Sequence, residues 1–363
     1  MAIRLAVIGL GKMGVSHLSI ANALDDFDVV AVCDSSKLVT DVIGKTTGLN
    51  GFNDYDEVLK LKDLDAVLIA TPSVAHEPMI RKALERGLHV FAEKPLTLDA
   101  AASRELADLA AKTGLVAQVG YHNRYVGTFA EAARLVASGA LGKVSHALAE
   151  SYGPVVLRRT KPTWRGKAGQ GGGCLHDYAA HPINLLNWML GTPEHCLGAS
   201  LARQLSAEVE DQVHCLLQFP EAVIGQVSVN WSDPSVRKMT TKLSVWGEAG
   251  KLYVDRTELQ LFLTGKSEIP AEYRKGWTVK HITDLTEPVS FYLRGEEYSA
   301  QLEAFGRAIL AKDTQRNDFG EAAATDATIE MIKEQASGPV PVSSGSLGAL
   351  DRPKSLFARV FNR

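Results

Sequence analysis

The chain has little net charge, few cysteines and no long apolar run. Its 39 lysines and arginines nearly balance 42 aspartates and glutamates, so it lacks the basic excess of nucleic-acid-binding proteins. No apolar stretch approaches the length of about 18 residues that indicates a membrane-spanning helix. Since the amino terminus enters a strand-like segment and not the apolar core of a signal peptide, we expect a soluble cytoplasmic protein without nucleic-acid or membrane partners.

The four cysteines lie far apart in the sequence and form no Cys-x-x-Cys pair. This spacing favours buried free thiols in a reducing compartment over a disulfide framework or a zinc site. His176, Asp177 and His181 carry metal-binding chemistry, but no further ligands are spaced to complete a site around them. We therefore expect no metal.

With 45% hydrophobic and 22% charged residues, a chain of 363 residues is long enough for two globular domains. Its first 122 residues alternate short β-branched runs with amphipathic stretches, which predicts a parallel, Rossmann-type α/β sheet with helices on both faces. The predicted strands are Ile3–Ile8, Val29–Cys33, Ala66–Ala70, His89–Ala92 and Val116–Gly120. The predicted helices include Met13–Leu24, Glu77–Arg86 and Ala100–Lys112.

Beyond residue 122 the rhythm changes, because strand patterns follow one another with few helices between them. This pattern predicts an α+β domain with an antiparallel sheet over 123–338, including a hairpin turn at 247–250. The predicted strands are 145–153, 197–205, 213–219, 222–231, 241–246 and 251–254, and the predicted helices are 129–138, 177–190, 296–311 and 320–335. The residues from 339 to 363 begin with a Pro-, Ser- and Gly-rich stretch and are expected to form a flexible tail.

The segment Gly9-Leu10-Gly11-Lys12-Met13-Gly14 follows the first predicted strand and opens the first predicted helix. Glycines at this place allow a tight turn and a close approach of the backbone to a pyrophosphate at the helix amino terminus. Asp34 ends the second predicted strand, where a carboxylate can bind ribose hydroxyls. Together these features predict dinucleotide binding, and the alternative is a generic strand–helix turn with a solvated aspartate.

Three further motifs directly follow predicted strands, namely Thr71-Pro72, Glu93-Lys94-Pro95 and Tyr121-His122-Asn123-Arg124. The carboxyl ends of parallel strands share one edge of the sheet, and ligands of open α/β sheets bind at that edge. We therefore expect these side chains to gather with the glycine turn at a single site.

These motifs, together with His76 and the run 171–181, resemble the glucose–fructose oxidoreductase / inositol dehydrogenase (Gfo/Idh/MocA) family over residues 1 to about 335. The resemblance implies a Rossmann domain and an α+β domain whose large, mostly antiparallel open sheet joins subunits into homodimers or homotetramers. It also implies hydride transfer between a nicotinamide and a sugar-like carbon, with Lys94, Asp177 and His181 at the site and a cis Lys94–Pro95 bond. Many members carry a second carboxylate three residues after the histidine, and this chain has Asn184 there.

The residue types at the three catalytic positions suit the oxidation of an alcohol. A histidine that titrates near the working pH can accept the hydroxyl proton while the hydride leaves. Asp177 lies four residues before His181, so on one helix both side chains share a face, and the carboxylate can orient the substrate or the imidazole. Lys94 can stabilise negative charge on the reacting oxygen. The alternatives are a core histidine, a surface lysine and an aspartate that caps its helix.

Asp34 favours NAD over NADP because a carboxylate repels a 2′-phosphate, although Ser35, Ser36 and Lys37 follow it and can cradle one. The residues expected to bind the cofactor are Gly9, Gly11, Lys12, Met13, Gly14, Asp34, Ser35, Thr71, Pro72, His76, Glu93 and Lys94. Those expected to bind the substrate are Tyr121, His122, Arg124, Tyr152, Arg158, Arg165 and Asn184.

The basic segment 158–167 holds five cations and no acid, which favours an anionic substrate such as a uronate or a sugar nucleotide. A solvated loop or an oligomer contact is the alternative for this segment. Two other functions stay open on the same scaffold. One is a glycosidase or dehydratase that oxidises its substrate transiently with tightly held NAD, and the other is a non-catalytic dinucleotide-binding regulator.

Overall fold

The computed structural model describes residues 2–158, 164–311 and 317–337. The tail expected at 339–363 and the middle of the basic segment, 159–163, lie outside these ranges. Two sheets organise the described residues, one with six strands and one with eight. The first is parallel and the second is mostly antiparallel, which confirms the predicted fold class.

Six strands form the first sheet: β1 (Ile3–Ile8), β2 (Phe27–Cys33), β3 (Asn50–Phe52), β4 (Ala66–Ile69), β5 (His89–Ala92) and β6 (Ala117–Val119). They lie in the order β3-β2-β1-β4-β5-β6, and all neighbours run parallel. Strand β4 is buried along its whole length, as expected for a strand with helices on both faces. The strand order reverses between β1 and β4, so a crevice opens at their carboxyl ends.

Five helices connect these strands: α1 (Lys12–Ala21), α2 (Lys37–Thr47), α3 (Tyr55–Val58), α4 (His76–Glu85) and α5 (Ala100–Thr113). Helix α5 is capped at its start by Asp99, whose side chain accepts a hydrogen bond from the Ala102 N–H, and at its end by the left-handed Gly114. Helix α2 was not predicted. Its apolar residues Leu38 and Val42 are exposed, and only Val39 and Ile43 pack partly against the core, so its inward apolar face is narrow.

Eight strands form the second sheet: β7 (Val144–Tyr152), β8 (His195–Ala202), β9 (Gln212–Phe219), β10 (Val223–Asn230), β11 (Thr240–Gly247), β12 (Gly250–Asp255), β13 (Glu258–Leu263) and β14 (Gly276–His281). They lie in the order β14-β13-β12-β11-β7-β10-β9-β8. Among the described pairs, β7 and β10 are parallel and the others antiparallel. The predicted hairpin turn at 247–250 joins β11 to β12.

The inner face of this sheet packs against helices, and burial alternates along its strands. The helices of this part of the chain are α6 (Gly127–Ala137), α7 (Ala180–Leu190), α8 (Ile282–Leu285), α9 (Glu296–Ala311) and α10 (Phe319–Ser337). The helix predicted to start at Asp177 differs at its beginning, because Leu175–Ala179 forms a π-helical turn that leads into α7. Helix α10 packs on both α5 and α7.

Helix α9 returns to the first sheet, although its sequence lies in the segment expected to form the second domain. Its Phe305 is fully buried, stacks on Phe27 and meets Phe91 edge-on. The core on this face of the first sheet is therefore completed by residues from the carboxyl-terminal part of the chain. No helix in the described ranges is long and apolar enough to cross a membrane.

Candidate active site

The glycine turn between β1 and α1 leaves the amino end of the helix open. Gly9 has a φ of +87°, and a Cβ at Gly14 would lie 1.7 Å from the Gly9 carbonyl oxygen, so neither position accepts a larger residue. At Gly11 a Cβ would meet nothing within 4 Å, and no side chain caps the helix there. The first two residues of helix α1 are Lys12, which is exposed, and Met13. This uncapped helix end fits a pyrophosphate.

Asp34 lies beside this turn, at the carboxyl end of β2. Its Oδ2 accepts the backbone N–H of Leu10 at 2.8 Å, and its Oδ1 accepts that of Ser36 at 2.9 Å. The neighbouring Ser35 is exposed. Because two backbone donors hold the carboxylate in place, it is preorganised to accept ribose hydroxyls and to repel a 2′-phosphate.

His76 joins two of the loops that follow the strands. It is buried, and its Nε2 lies 3.0 Å from the Thr71 carbonyl oxygen while its Nδ1 lies 2.9 Å from that of Pro95. Burial lowers the pKa of His76, and a neutral ring donates to one of these two oxygens at a time. Both ring nitrogens thus face backbone, so His76 braces the loops carrying Thr71-Pro72 and Pro95.

Lys94, which follows β5, is in direct contact with Asp177, which lies in the π-helical turn before α7. The Lys94 Nζ donates to the Asp177 Oδ1 and to its backbone oxygen, each at 2.9 Å, and the Arg165 Nε donates to the Asp177 Oδ2 at 2.9 Å. The side chains of Lys94 and Asp177 are only 15% and 10% exposed. These contacts argue against a surface lysine and a helix-capping aspartate. The Lys94–Pro95 bond is cis, as the family resemblance implied.

The charge on Asp177 follows from these partners. Burial alone would raise the pKa of Asp177, but the charges of Lys94 and then Arg165 outweigh it and hold the pKa below its usual range. The carboxylate is therefore ionised at neutral pH and keeps the Lys94 ammonium at this edge.

His181, in the first turn of α7, is buried next to this ion pair. Its Nδ1 is buried and has no hydrogen-bond partner among the described residues. Burial, and then the charges of Lys94 and His122, hold the pKa of His181 well below its usual value, so the imidazole is neutral at pH 7. Because this ring nitrogen has no protein partner among the described residues, it is available to a ligand, unlike that of a fully hydrogen-bonded core histidine.

Two aromatic rings from the turn after β6 lie next to the imidazole of His181. The His122 ring lies 5.0 Å from it and the Tyr121 ring 6.1 Å, measured between centroids. His122 also stacks on Tyr298 of α9 at 4.7 Å. Tyr298 was not predicted, because it lies on a distant helix and belongs to no motif.

Arg124 and Asn184, expected to bind substrate, bond to each other and to α10. The Arg124 Nε donates to the Asn184 Oδ1 at 2.9 Å and its guanidinium also pairs with Glu321, while the Asn184 Nδ2 donates to the Thr325 Oγ1 at 3.0 Å. Both residues are buried. Their polar atoms tie the turn after β6 and helix α7 to α10.

Tyr152 and Arg158 lie outside the cluster around His181. Ser151 faces the core, so Tyr152 takes the opposite face of the sheet, where its hydroxyl bonds Ser228 at 3.0 Å and Glu150 at 3.3 Å. Arg158 is exposed at the end of a described range. Within the described ranges, no group of three or more histidine, cysteine or acidic side chains is placed to hold a metal ion.

Comparison with known protein families agrees with this geometry. Residues 3–121 match the oxidoreductase family with an NAD-binding Rossmann fold (GFO_IDH_MocA), and residues 129–253 match the GFO/IDH/MocA C-terminal domain. The chain belongs to the Gfo/Idh/MocA family. This Gfo/Idh/MocA protein is an NAD-dependent oxidoreductase, and its glycine turn and Asp34 fit that cofactor.

Two relatives of this Gfo/Idh/MocA protein differ in what they act on. It is 33% identical to dTDP-3,4-didehydro-2,6-dideoxy-alpha-D-glucose 3-reductase of Streptomyces violaceoruber, over 70% of this chain and 73% of the relative. It is 27% identical to scyllo-inositol 2-dehydrogenase (NAD(+)) of Bacillus subtilis strain 168, over 69% of this chain and 73% of the relative. Levoglucosan dehydrogenase in complex with NADH has the same fold, with a TM-score of 0.82, 20% identity and coverage of 93% and 97% of the two chains.

Proposed function

We propose that this enzyme transfers a hydride between NAD and a secondary-alcohol carbon of a polyol, sugar or sugar derivative. The observation that carries the proposal is the ion pair of Lys94 and Asp177 beside the buried, neutral His181. The relatives that act on scyllo-inositol and on a dTDP-linked sugar support this substrate class. Sugar-like substrates therefore come first in any search for activity.

In this proposal three side chains handle the proton and the charge of the reacting hydroxyl. Bound NAD supplies the hydride acceptor. The neutral imidazole of His181 takes the hydroxyl proton, and it returns a proton to the oxygen when the reaction runs toward the alcohol. The Lys94 ammonium donates a hydrogen bond to the reacting oxygen and stabilises its developing negative charge. Asp177 keeps the ammonium in position, and Arg165 holds the second oxygen of that carboxylate.

The cofactor preference is proposed to be NAD, with NADP a weaker alternative. Support comes from the Asp34 carboxylate, which is fixed by two backbone N–H groups beside the glycine turn. Ratios of kcat/KM for the two cofactors measure the preference. Asp34→Ala should reduce the preference for NAD over NADP, because Ser35, Ser36 and Lys37 can then bind a 2′-phosphate with no carboxylate to repel it.

We also propose that the substrate is anionic, such as a uronate or a sugar nucleotide. Replacing Arg165 is a poor test of this charge recognition. Because Arg165 bonds Asp177, Arg165→Ala should lower turnover of neutral and anionic substrates alike. Arg158→Ala is the better test, because it leaves the bond between Arg165 and Asp177 in place. A rise in KM for an anionic substrate and not for its neutral counterpart supports charge recognition, and equal KM values contradict it.

A substrate screen tests the proposed function. Polyols, neutral sugars, uronates and sugar nucleotides are each incubated with NAD, and NADH formation is followed by absorbance, with Lys94→Ala as the inactive control. We expect one class to yield NADH in proportion to substrate consumed. Consumption of substrate without accumulation of NADH would instead indicate transient oxidation by retained cofactor, and no turnover of any class would contradict the proposal.

Assembly and location complete the proposal. We propose a homodimer or homotetramer formed through the outer face of the second sheet, which carries the exposed residues Leu216, Trp277 and Val279. We place the enzyme in the cytoplasm, where NAD is available and where its four free cysteines stay reduced.

A further inference from the structure

A buried hydrogen bond joins the helix after the glycine turn to the loop that carries Lys94. His17, on α1, is fully buried, and its Nε2 lies 2.7 Å from the Oε1 of Glu93. The second oxygen of Glu93, Oε2, accepts the backbone N–H of Lys94 at 3.2 Å. One carboxylate thus contacts both the cofactor-binding helix and the backbone of the residue proposed to contact the reacting oxygen.

The surroundings leave this carboxylate little freedom to move. A Cβ at Gly120 would lie 3.2 Å from all three atoms of the Glu93 carboxyl group, so the carboxylate fills the space that the missing side chain leaves. The His17 ring packs edge-on against Phe91, at a centroid distance of 5.3 Å, on the strand that ends just before Glu93. Both side chains are held by packing as well as by their hydrogen bond.

The charge of Glu93 makes it a competitor for the Lys94 ammonium. Burial alone would raise the pKa of Glu93, but the hydrogen bond and charge of His17, followed by the charge of Lys94, lower it. Two ionised carboxylates therefore flank Lys94, and the structure shows its Nζ bonded to Asp177. The other carboxylate, that of Glu93, has its Oε1 engaged by the His17 ring.

We propose that His17 is a positioning residue: it holds Glu93, so that the Lys94 ammonium stays with Asp177 and faces the reacting oxygen. The proposal rests on the proposed function for its kinetic consequence. The proposal also links the cofactor-binding turn to the residues around Lys94, because the helix that begins at the glycine turn then contributes directly to the placement of Lys94.

Four variants test this role. His17→Phe keeps an aromatic ring and removes the donor, whereas His17→Gln retains an N–H that can reach Glu93. Glu93→Gln removes the competing charge. His89→Phe is the control, since His89 lies at the amino end of β5, where its Nδ1 accepts the Val116 N–H, away from the site.

We expect His17→Phe to lower kcat by about 10²-fold, the loss typical of a misplaced catalytic group, while the Kd for NADH from fluorescence titration stays unchanged. His17→Gln should recover most of this loss, and His89→Phe should leave kcat unchanged. Adding Glu93→Gln to His17→Phe should cost less than the product of the two single losses, because the two side chains act through one contact. A folded His17→Phe protein with normal kcat, or losses that multiply, would overturn the proposal.

Hydrogen exchange of the backbone amides at 94–98 provides a readout that needs no substrate. We expect faster exchange of this peptide in His17→Phe than in His17→Gln, His89→Phe or the unchanged protein. If no sugar-like substrate is turned over, the proposed function fails and this comparison alone decides the role of His17. Equal exchange in all four proteins would overturn the positioning role even if the enzyme is active.

Discussion

Burial determines how the histidine at the centre of the site responds to pH. An unperturbed histidine titrates near neutrality, and the sequence by itself predicts a base that ionises there. In the structure, burial and the charges of Lys94 and His122 lower the pKa of His181. The imidazole must be neutral to accept a proton, so activity should persist below the pH at which an exposed histidine would be protonated.

Replacing His181 separates chemistry from cofactor binding. We expect His181→Ala to lower kcat by about 10²–10⁴-fold, the usual contribution of a general base, and to remove the acid limb of the kcat/KM profile. The Kd for NADH should hardly change, because the glycine turn and Asp34 lie elsewhere. Steady-state rates across pH and NADH titration measure both effects. If the folded variant turns over normally, His181 only fills space.

Asp326 is a second buried titratable group, and it contacts the segment that follows Pro95. Its Oδ2 accepts hydrogen bonds from the Ser103 Oγ at 2.7 Å and the Thr97 N–H at 3.2 Å. Burial outweighs these bonds and raises the pKa of Asp326 to about 7. Its carboxyl group is therefore largely protonated in the folded protein at mildly acidic pH, where it is ionised in the unfolded chain.

The stability of the protein should depend on pH through Asp326. Because the folded pKa exceeds the unfolded one, its stabilising contribution is complete below about pH 4 and is lost as the pH rises to about 7, by a few kcal/mol at most. Asp326→Asn cannot ionise and should lack this loss. Urea unfolding at several pH values compares the two proteins, and parallel curves between pH 4 and 7 would contradict the expectation.

The turn between β1 and α1 offers a pair of matched glycines. Gly14→Ala places a Cβ 1.7 Å from a backbone oxygen, so we expect a lower Tm together with weaker NADH binding. Gly11→Ala meets no protein atom within 4 Å, so its Tm should be unchanged and only NADH binding should weaken, if the pyrophosphate approaches there. Thermal melts and NADH titration of both variants test the assignment. Normal NADH affinity in Gly11→Ala would place the pyrophosphate elsewhere.

Buried strands were easier to predict from the sequence than exposed elements. β1 and β5 occupy the residues expected for them, because their apolar runs are short, buried and followed directly by motifs. α2 and the edge strand β14 were missed, since neither buries a continuous apolar face. β13 alternates buried leucines with the partly exposed Glu258, Gln260 and Phe262, and periodicity could have detected this pattern.

For the site, residues in local motifs were easier to predict than residues whose contacts join distant segments. Lys94, Asp177 and His181 were predicted because each belongs to a local motif, and the structure brings them together, while their catalytic roles stay a prediction. His17 and Tyr298 were missed, since their contacts join segments that are distant in sequence and leave no local pattern. Tyr152 was expected to bind substrate, but it lies on the face of the sheet that points away from the core. The sequence alone did not predict this, because the face that a strand residue occupies depends on register.

The outer face of the second sheet extends across all eight strands and carries an aromatic ladder. Lys251 lies over the rings of both Tyr253 and Trp277, about 5 Å from each centroid. The ring contacts of the ladder join His146, Trp246, Tyr253, Phe262 and Trp277. Contiguous aromatic surface of this kind is typical of association sites.

Charge introduced on this face should therefore separate subunits. We expect the unchanged protein to be a dimer or tetramer by light scattering after gel filtration, and Trp277→Glu combined with Val279→Glu to reduce its mass. Leu310→Glu, at a similarly exposed position on α9, is the control and should leave the mass unchanged. A monomeric parent protein would contradict the proposed assembly.

The return of α9 to the first sheet has a consequence for biosynthesis. Phe305 fills the space beside Phe27 and Phe91, yet it is translated more than 200 residues after Phe91. A nascent chain that has just emerged with its six parallel strands therefore exposes an unfinished apolar face while the second sheet is still being made. During that interval the first third of the chain carries exposed apolar surface of the kind that chaperones bind, and slower synthesis of the second sheet would prolong that exposure.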